Sequence, residues 1–463
     1  MAQAVYTSGP LFTHLRQGIT ASAIGMVAIF LVDLVDLAFI AQLGEPALAA
    51  AVGFAGILLF FASAIGMALS VAASTLVSQA LGRDDKVGAA QAFLDVALLG
   101  LILGGAATLS LHFAAPALLS LLGAEGQVHS LAVDYFRIVN AALPLLILGM
   151  CSGAALRGSG LMARSMVATV LGGGVNAVLD PIFIFALDWG LSGAAYATVV
   201  SRVAVVVTAL YFALGQAQLL RGARVGEIRH SLQPVFAVAA PSLITSLSTP
   251  LGSAYVTRAL SSYGADVIAG VSVFGRLMPL AFVGILTLAM AMAPIVGQNF
   301  GAGLRSRVER TLLIAGGFSF AYTLIAAAAL ALLAPWLVQL FVLDGAAADV
   351  LTFYCRIIAF SYGFFGLHLA ATQTFTNIGH PTYATYTNIF RDLGLTVPFV
   401  ALGGLLGSPY AIIIGQYAAT IVSGTLAYII AYRMVHRAAA SGLQKPAHDF
   451  HRPVTPYAPS RGH

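Results

Sequence analysis

The sequence predicts an all-α polytopic membrane protein, with twelve transmembrane helices in two six-helix lobes related by a pseudo-twofold axis along the membrane normal. Three observations carry that prediction. Only 8% of the 463 residues are charged and 59% are apolar, against about 25% charged in a soluble domain. The lysines and arginines gather in every second connection between apolar runs. Small motifs recur at a spacing of 219 or 220 residues.

Crossing about 30 Å of hydrocarbon takes roughly 20 apolar residues, so the apolar content suffices for about twelve crossings. The runs are long and continuous, unlike the short alternating segments of a membrane barrel. Breaks at charges, glycine and proline place the spans at 17–43, 47–80, 88–113, 129–156, 163–187, 190–216, 232–262, 266–299, 307–333, 346–378, 382–406 and 409–437. Residues 1–17 lack the pattern of a cleaved signal or transit peptide, so the first span is read as uncleaved. The expected division is an N-lobe over 1–216, a basic linker over 217–231, a C-lobe over 232–437 and a disordered polar tail over 438–463. Cys151 and Cys355 lie in apolar runs without metal or disulfide spacing, and no cofactor is expected.

The charges give the chain a sidedness. Sixteen of the 22 Lys and Arg fall at the termini and in the even-numbered connections, and the other six (Arg137, Arg202, Arg258, Arg276, Arg356, Arg391) lie within spans. The odd-numbered connections carry Glu45, Glu125, Asp188, Asp266, Asp344 and Asp349 instead. The positive-inside rule then puts both termini and the even loops in the cytoplasm. The net charge of +5 reports topology, and no nucleic-acid partner is expected.

Val77, Gln79 and Gly82 recur as Val296, Gln298 and Gly301 at an offset of 219, as Gly160 does as Gly379. Gly44, Ala49 and Phe54 recur as Gly264, Ala269 and Phe274 at 220. Six is an even number, so both halves run the same way through the membrane, enclose a cleft and can rock about it. That architecture favours a transporter over an enzyme or a receptor, and no nucleophile and base recur at one depth.

Carboxylates inside spans cost about 2.5–3.5 kcal/mol each on insertion scales and mark function by default. Counted at about 1.5 Å per residue, Asp36 lies about 12 Å in from the Gly44 turn, Asp180 about 15 Å in from the Gly190 turn and Thr198 about 12 Å in from the same turn. Asn176 stands one helical turn from Asp180, and Tyr135 reaches a similar depth. This set would take a proton or a small hard cation such as Na+, bound by Asp36, Asn176, Asp180 and Thr198. Two close carboxylates do not cheaply ionise together, so a shared proton is expected. A static polar network joining helices is the plainer alternative.

Pro181 should bend the fifth span beside Asp180. Asp33, three residues from Asp36, is either a second proton site or a partner for an arginine such as Arg202. Asp95 approaches from the other face of the membrane and stays outside the cluster. Asp134 and Arg137 are spaced to pair, Arg391 and Asp392 should face different ways, and His112 and His368 read as packed histidines.

The runs Val-Asp-Leu-Ala-Phe-Ile-Ala-Gln-Leu-Gly (35–44), Ser-Gln-Ala-Leu-Gly-Arg (78–83), Leu-Arg-Gly-Ser-Gly (156–160) and Gly-Gln-Asn-Phe-Gly-Ala-Gly (297–303) resemble the signatures of the multidrug and toxic compound extrusion (MATE) transporters, over roughly residues 16–437. The resemblance implies a bacterial inner-membrane antiporter, expected as a monomer, that exports organic cations and amphipathic drugs against inward H+ or Na+ by alternating access. It assigns the coupling site to Asp36, Asn176, Asp180, Thr198 and Tyr135, with the Ala194 carbonyl as a further cation ligand. The span 232–262 holds no acidic residue and 346–378 only Asp349, which is more like the branch named for DNA-damage-inducible protein F than the NorM branch. Ala21 replaces the proline usual in the first span. The alternative function is a lipid-linked oligosaccharide flippase of the same superfamily, gripping phosphate with Arg202 or Arg276.

Overall fold

The computed structural model describes residues 3–43 and 45–440. Among them sixteen α-helices form twelve spans, because four spans are broken. α1 (Leu11–Gln42), α2 (Pro46–Gly82) and α3 (Lys86–Leu121) each cross unbroken. α4 (Gly126–Ala141) and α5 (Leu143–Gly158) share the fourth span, and α6 (Met162–Pro181) and α7 (Gly190–Leu210) make the fifth and sixth. The second lobe repeats the plan. It comprises α8 (Ile228–Ser261), the pair α9 (Ala265–Ala281) and α10 (Val283–Gly301), α11 (Arg305–Leu340), the pair α12 (Gly345–Arg356) and α13 (Tyr362–Asn377), the pair α14 (Pro381–Ile389) and α15 (Thr396–Leu405), and α16 (Pro409–Ala440).

Ten described helical segments are long and apolar enough to cross a membrane, and the α4–α5 pair makes eleven. The twelfth, α14–α15, carries Arg391 and Asp392 at its middle. Apolar side chains such as Ile325 and Leu332 stand 73% and 82% exposed, a surface suited to lipid.

The breaks have local causes. Pro144 has no N–H for the Asn140 carbonyl four residues back, and the helix bends by 48° between α4 and α5. Thr108 Oγ1 takes up that carbonyl at 3.1 Å, while Asn140 Nδ2 donates to the Thr108 carbonyl at 3.0 Å. Pro116 does the same to His112, and here Arg137 Nε donates to the freed carbonyl at 3.4 Å. The expected Asp134–Arg137 pair is therefore absent among the described contacts, since the arginine serves the proline kink and Asp134 is exposed. α3 continues through Pro116 to Leu121, beyond the expected end at 113. Ala21 leaves α1 continuous, whereas α8 contains Pro234, Pro241 and Pro250.

The lobes meet through α1 on α10, α2 on α8 and α2 on α10. At the end that carries the basic connections, α2 and α10 close on one another at two glycines. A Cβ on Gly82 would stand 2.9 Å from the Gln298 carbonyl carbon, and one on Gly301 would stand 3.0 Å from that of Gln79. An N-terminal strap, residues 3–10, lies across this closed end. The Tyr6 N–H donates to Gln298 Oε1 at 3.0 Å, its carbonyl accepts from Asn299 Nδ2 at 3.1 Å and Arg307 Nη2 at 2.9 Å, and its hydroxyl donates to the Gly160 carbonyl at 3.4 Å.

Candidate functional site

Asp36, Asn176, Asp180, Thr198 and Tyr135 come from α1, α6, α7 and α4, where α6 packs on both α1 and α7, and α4 packs on α7. The Asn176 amide donates to Asp36 Oδ1 across a long 3.4 Å. The Asp36 and Asp180 carboxyls lie beside each other, and the Tyr135 phenol lies near Thr198 and the carboxyl pair. Thr198 Oγ1 donates to the Ala194 carbonyl at 3.0 Å, which leaves its lone pairs to accept.

Asp180 is 1% exposed, and neither of its oxygens receives a hydrogen bond from the described residues. Two carboxylates so placed, with one amide donor at 3.4 Å, repel each other, and the buried Asp180 has lost its water as well. A proton shared between them removes the repulsion and supplies the missing donor. A small hard cation would do the same through the carboxylate, amide and hydroxyl oxygens. Directly after Asp180, Pro181 cannot donate, and Ile182–Ala186 widens into a π-helical turn. The Asp33 side chain lies outside the described residues. Asp95 keeps apart, buried and accepting from Gln91 Nε2 at 2.8 Å near the basic linker.

The chain matches the MatE family over residues 21–182 and again over 241–402, the second stretch starting and stopping 220 positions after the first. It belongs to the MatE family. A relative over most of its length is the FAD transporter of Shewanella oneidensis, 26% identical over 92% of this chain and 96% of that one. Another is the multidrug export protein MepA of Staphylococcus aureus, 23% identical over 93% of this chain and 96% of that one. A solved structure of a MOP-superfamily transporter from Pyrococcus furiosus, with a binding pocket of reverse polarity that suggests a different function, superposes with a TM-score of 0.88 at 25% identity. That match covers 95% of this chain and 99% of that one. The protein is thus a membrane-embedded transporter of small molecules.

The MatE repeat isolates the carboxylate pair. At an offset of 220, Asp36 and Asp180 correspond to Val256 and Val400, buried apolar residues of the C-lobe. The C-lobe carries a different charged pair. Arg391 Nε donates to Asp392 Oδ1 at 2.7 Å, with both residues 7% exposed, although adjacent residues were expected to face apart. They sit in a π-helical segment, Phe390–Leu395, and two charges without water are driven to pair. Asp392 Oδ2 accepts from Ser248 at 3.1 Å and Thr249 at 2.9 Å. This carboxylate is fully partnered, unlike Asp180. Its pair lines a cavity of about 190 Å³ together with Tyr362, Phe365 and Tyr417.

His368 is buried and bonds Asn388 Oδ1 at 3.2 Å, as a packed histidine does. Arg202 donates to the Val139 carbonyl at 2.7 Å, beside the α4–α5 break. Sequence reasoning passed over Arg157, which it counted only as a loop cation, and over Gln79 and Gln298, which it used only as repeat markers.

Proposed function

We propose that the protein is a secondary antiporter of the bacterial inner membrane, with its termini and basic loops cytoplasmic. It exports amphipathic small molecules, organic cations among them, in exchange for H+ or Na+ moving inward. The observation that carries this reading is the undonated Asp180 carboxylate buried beside Asp36.

In the conformation with the cytoplasmic end closed, the two carboxylates take up a proton or cation from outside. Their mutual repulsion falls, and α1, α6 and α7 draw together around the site. The N-lobe then releases substrate outward and rocks against the C-lobe, opening the cytoplasmic end, where the ion leaves. One inward proton contributes about 1.4 kcal/mol per pH unit and about 2.3 kcal/mol per 100 mV, which sustains a substrate gradient. Multidrug export by MepA supports drug-like substrates. The FAD transporter supports a second class, flat anionic molecules.

Proteoliposomes with an imposed ΔpH, with and without Na+, test the proposal. Added substrate should dissipate the gradient, and Asp36→Asn and Asp180→Asn should each abolish this while still inserting at normal levels. Full activity in both variants would end it.

A further inference from the structure

A cavity of about 390 Å³ opens inside the N-lobe, between the carboxylate pair and the basic end. Its size is that of a drug-scale ligand site. Four methionines, Met26, Met150, Met166 and Met290, supply much of its apolar wall, the last from α10 of the other lobe. Thioether side chains are polarisable and adjust to flat apolar bodies.

The polar part of the wall is basic. Arg157 and Arg202 both line the cavity, and among the described side chains no carboxylate lies within 4 Å of either. Each uses one donor on a neutral acceptor: Arg157 Nη1 on Ser165 Oγ at 3.0 Å, Arg202 Nη1 on the Val139 carbonyl at 2.7 Å. A guanidinium has five donors, so most of their capacity is unspent. Ser22 Oγ, on the same wall, is buried with no hydrogen-bond partner among the described residues. Two half-buried guanidinium groups without a carboxylate partner among the described residues, and a buried hydroxyl beside them, give one cavity wall a positive charge that an anionic ligand would offset.

We propose that this cavity binds an amphipathic organic anion. Its flat apolar body lies among the methionines, and its phosphate or carboxylate is held by Arg202 and Arg157 with help from Ser22. Arginine suits this role through paired N–H groups that match the two oxygens of such an anion. The helices α1, α6 and α7, which also carry Asp36, Asp180 and Thr198, line the cavity together with α2, α5 and α10. Tightening those helices around a bound proton would therefore reshape the anion site. This step deepens the exporter reading and rests on it for transport, but binding itself does not.

The test uses the full chain in phosphatidylcholine nanodiscs with no ion gradient, titrated with flavin mononucleotide and with riboflavin, which has the same ring system without the phosphate. Flavin mononucleotide should bind at least about 10-fold more tightly. Arg157→Gln and Arg202→Gln should each remove most of that preference and leave riboflavin unchanged, while Arg157→Lys and Arg202→Lys restore part of it. Discs doped with phosphatidylglycerol decide the source: competition assigns the site to an anionic lipid headgroup, and its absence assigns it to a soluble anion. Equal affinity for the two flavins, or unchanged flavin mononucleotide binding in both Gln variants, overturns the proposal. Antiport in proteoliposomes can survive that result, so the two readings fail separately.

Discussion

Gln79 and Gln298 make the same bond from opposite sides. Gln79 Nε2 donates to the Asn377 carbonyl and Gln298 Nε2 to the Gly158 carbonyl, each at 2.9 Å and each across the boundary between lobes. Donors and acceptors alike are 219 residues apart, so the latch is one interaction used twice under the pseudo-twofold axis. Both glutamines are buried, Gln298 fully so, and opening this end strands four polar groups unless water follows.

Cutting the latch should open the end that carries the basic connections. A net hydrogen bond contributes about 1 kcal/mol, so Gln79→Ala or Gln298→Ala should shift the closed-to-open ratio about 5-fold, and the double variant more. Gly82→Val should act in the same direction more strongly, since even a Cβ at this position runs into the Gln298 backbone. Spin labels at Asp84 and Arg310, in a background with Cys151 and Cys355 replaced, report the result as a longer inter-lobe distance. An unchanged distance distribution in the double variant would falsify the latch.

The strap should behave as a fixed fastener. Burial pushes the Tyr6 phenol up to about 12, so it stays neutral, with its proton in place, throughout the physiological range. Its shorter bonds run through the backbone N–H and carbonyl, and the hydroxyl contact is a long 3.4 Å. Tyr6→Phe should accordingly leave the inter-lobe distance alone. Tyr6→Ala, which empties a buried ring site, should lengthen it, equally at pH 6 and pH 9. A pH-dependent response in the Tyr6→Phe protein would contradict this account.

Asp392 should prove structural where Asp180 is proposed to couple transport. Its oxygens already meet Arg391, Ser248 and Thr249, so Asp392→Asn strands a buried guanidinium and should cost about 3–5 kcal/mol. The lower melting temperature in detergent reads that cost. The double variant Arg391→Met, Asp392→Leu should recover much of it, because replacing a buried pair by apolar side chains is often neutral. Protons moved per substrate should be unchanged in both.

Why some of this was legible in the sequence and some was not follows from the range of the forces involved. The spans and the two lobes rest on solvation and repetition, which a linear pattern records. The Asp36, Asn176 and Asp180 cluster was reached by counting helix rise from the turns, since a straight helix converts residue number into depth. Breaks defeat that conversion. Pro144 was visible, but its 48° bend and the capture of the freed Asn140 carbonyl by Thr108 depend on a neighbouring helix. Arg137 was assigned to Asp134 by spacing alone, yet the His112 carbonyl opened by Pro116 is the acceptor it reaches. Arg391 and Asp392 were separated by ideal helical geometry, and burial overrode it.

The choice of coupling ion turns on Thr198. A proton needs only the two carboxyl groups, whereas a hard cation needs several further oxygens. The Thr198 hydroxyl donates its hydrogen bond to the Ala194 carbonyl, so its lone pairs remain available to a cation. Thr198→Val keeps the shape and removes that oxygen. If H+ is the driving ion, the variant should retain most of the pH-driven exchange, with a loss of no more than about 1 kcal/mol in site stability from the missing hydrogen bond. If Na+ is, the Na+ concentration for half-maximal exchange should rise at least about 10-fold at constant pH. Exchange measured in proteoliposomes across a Na+ series at fixed ΔpH separates the two, because the carboxylate pair is shared by both mechanisms and the hydroxyl is not.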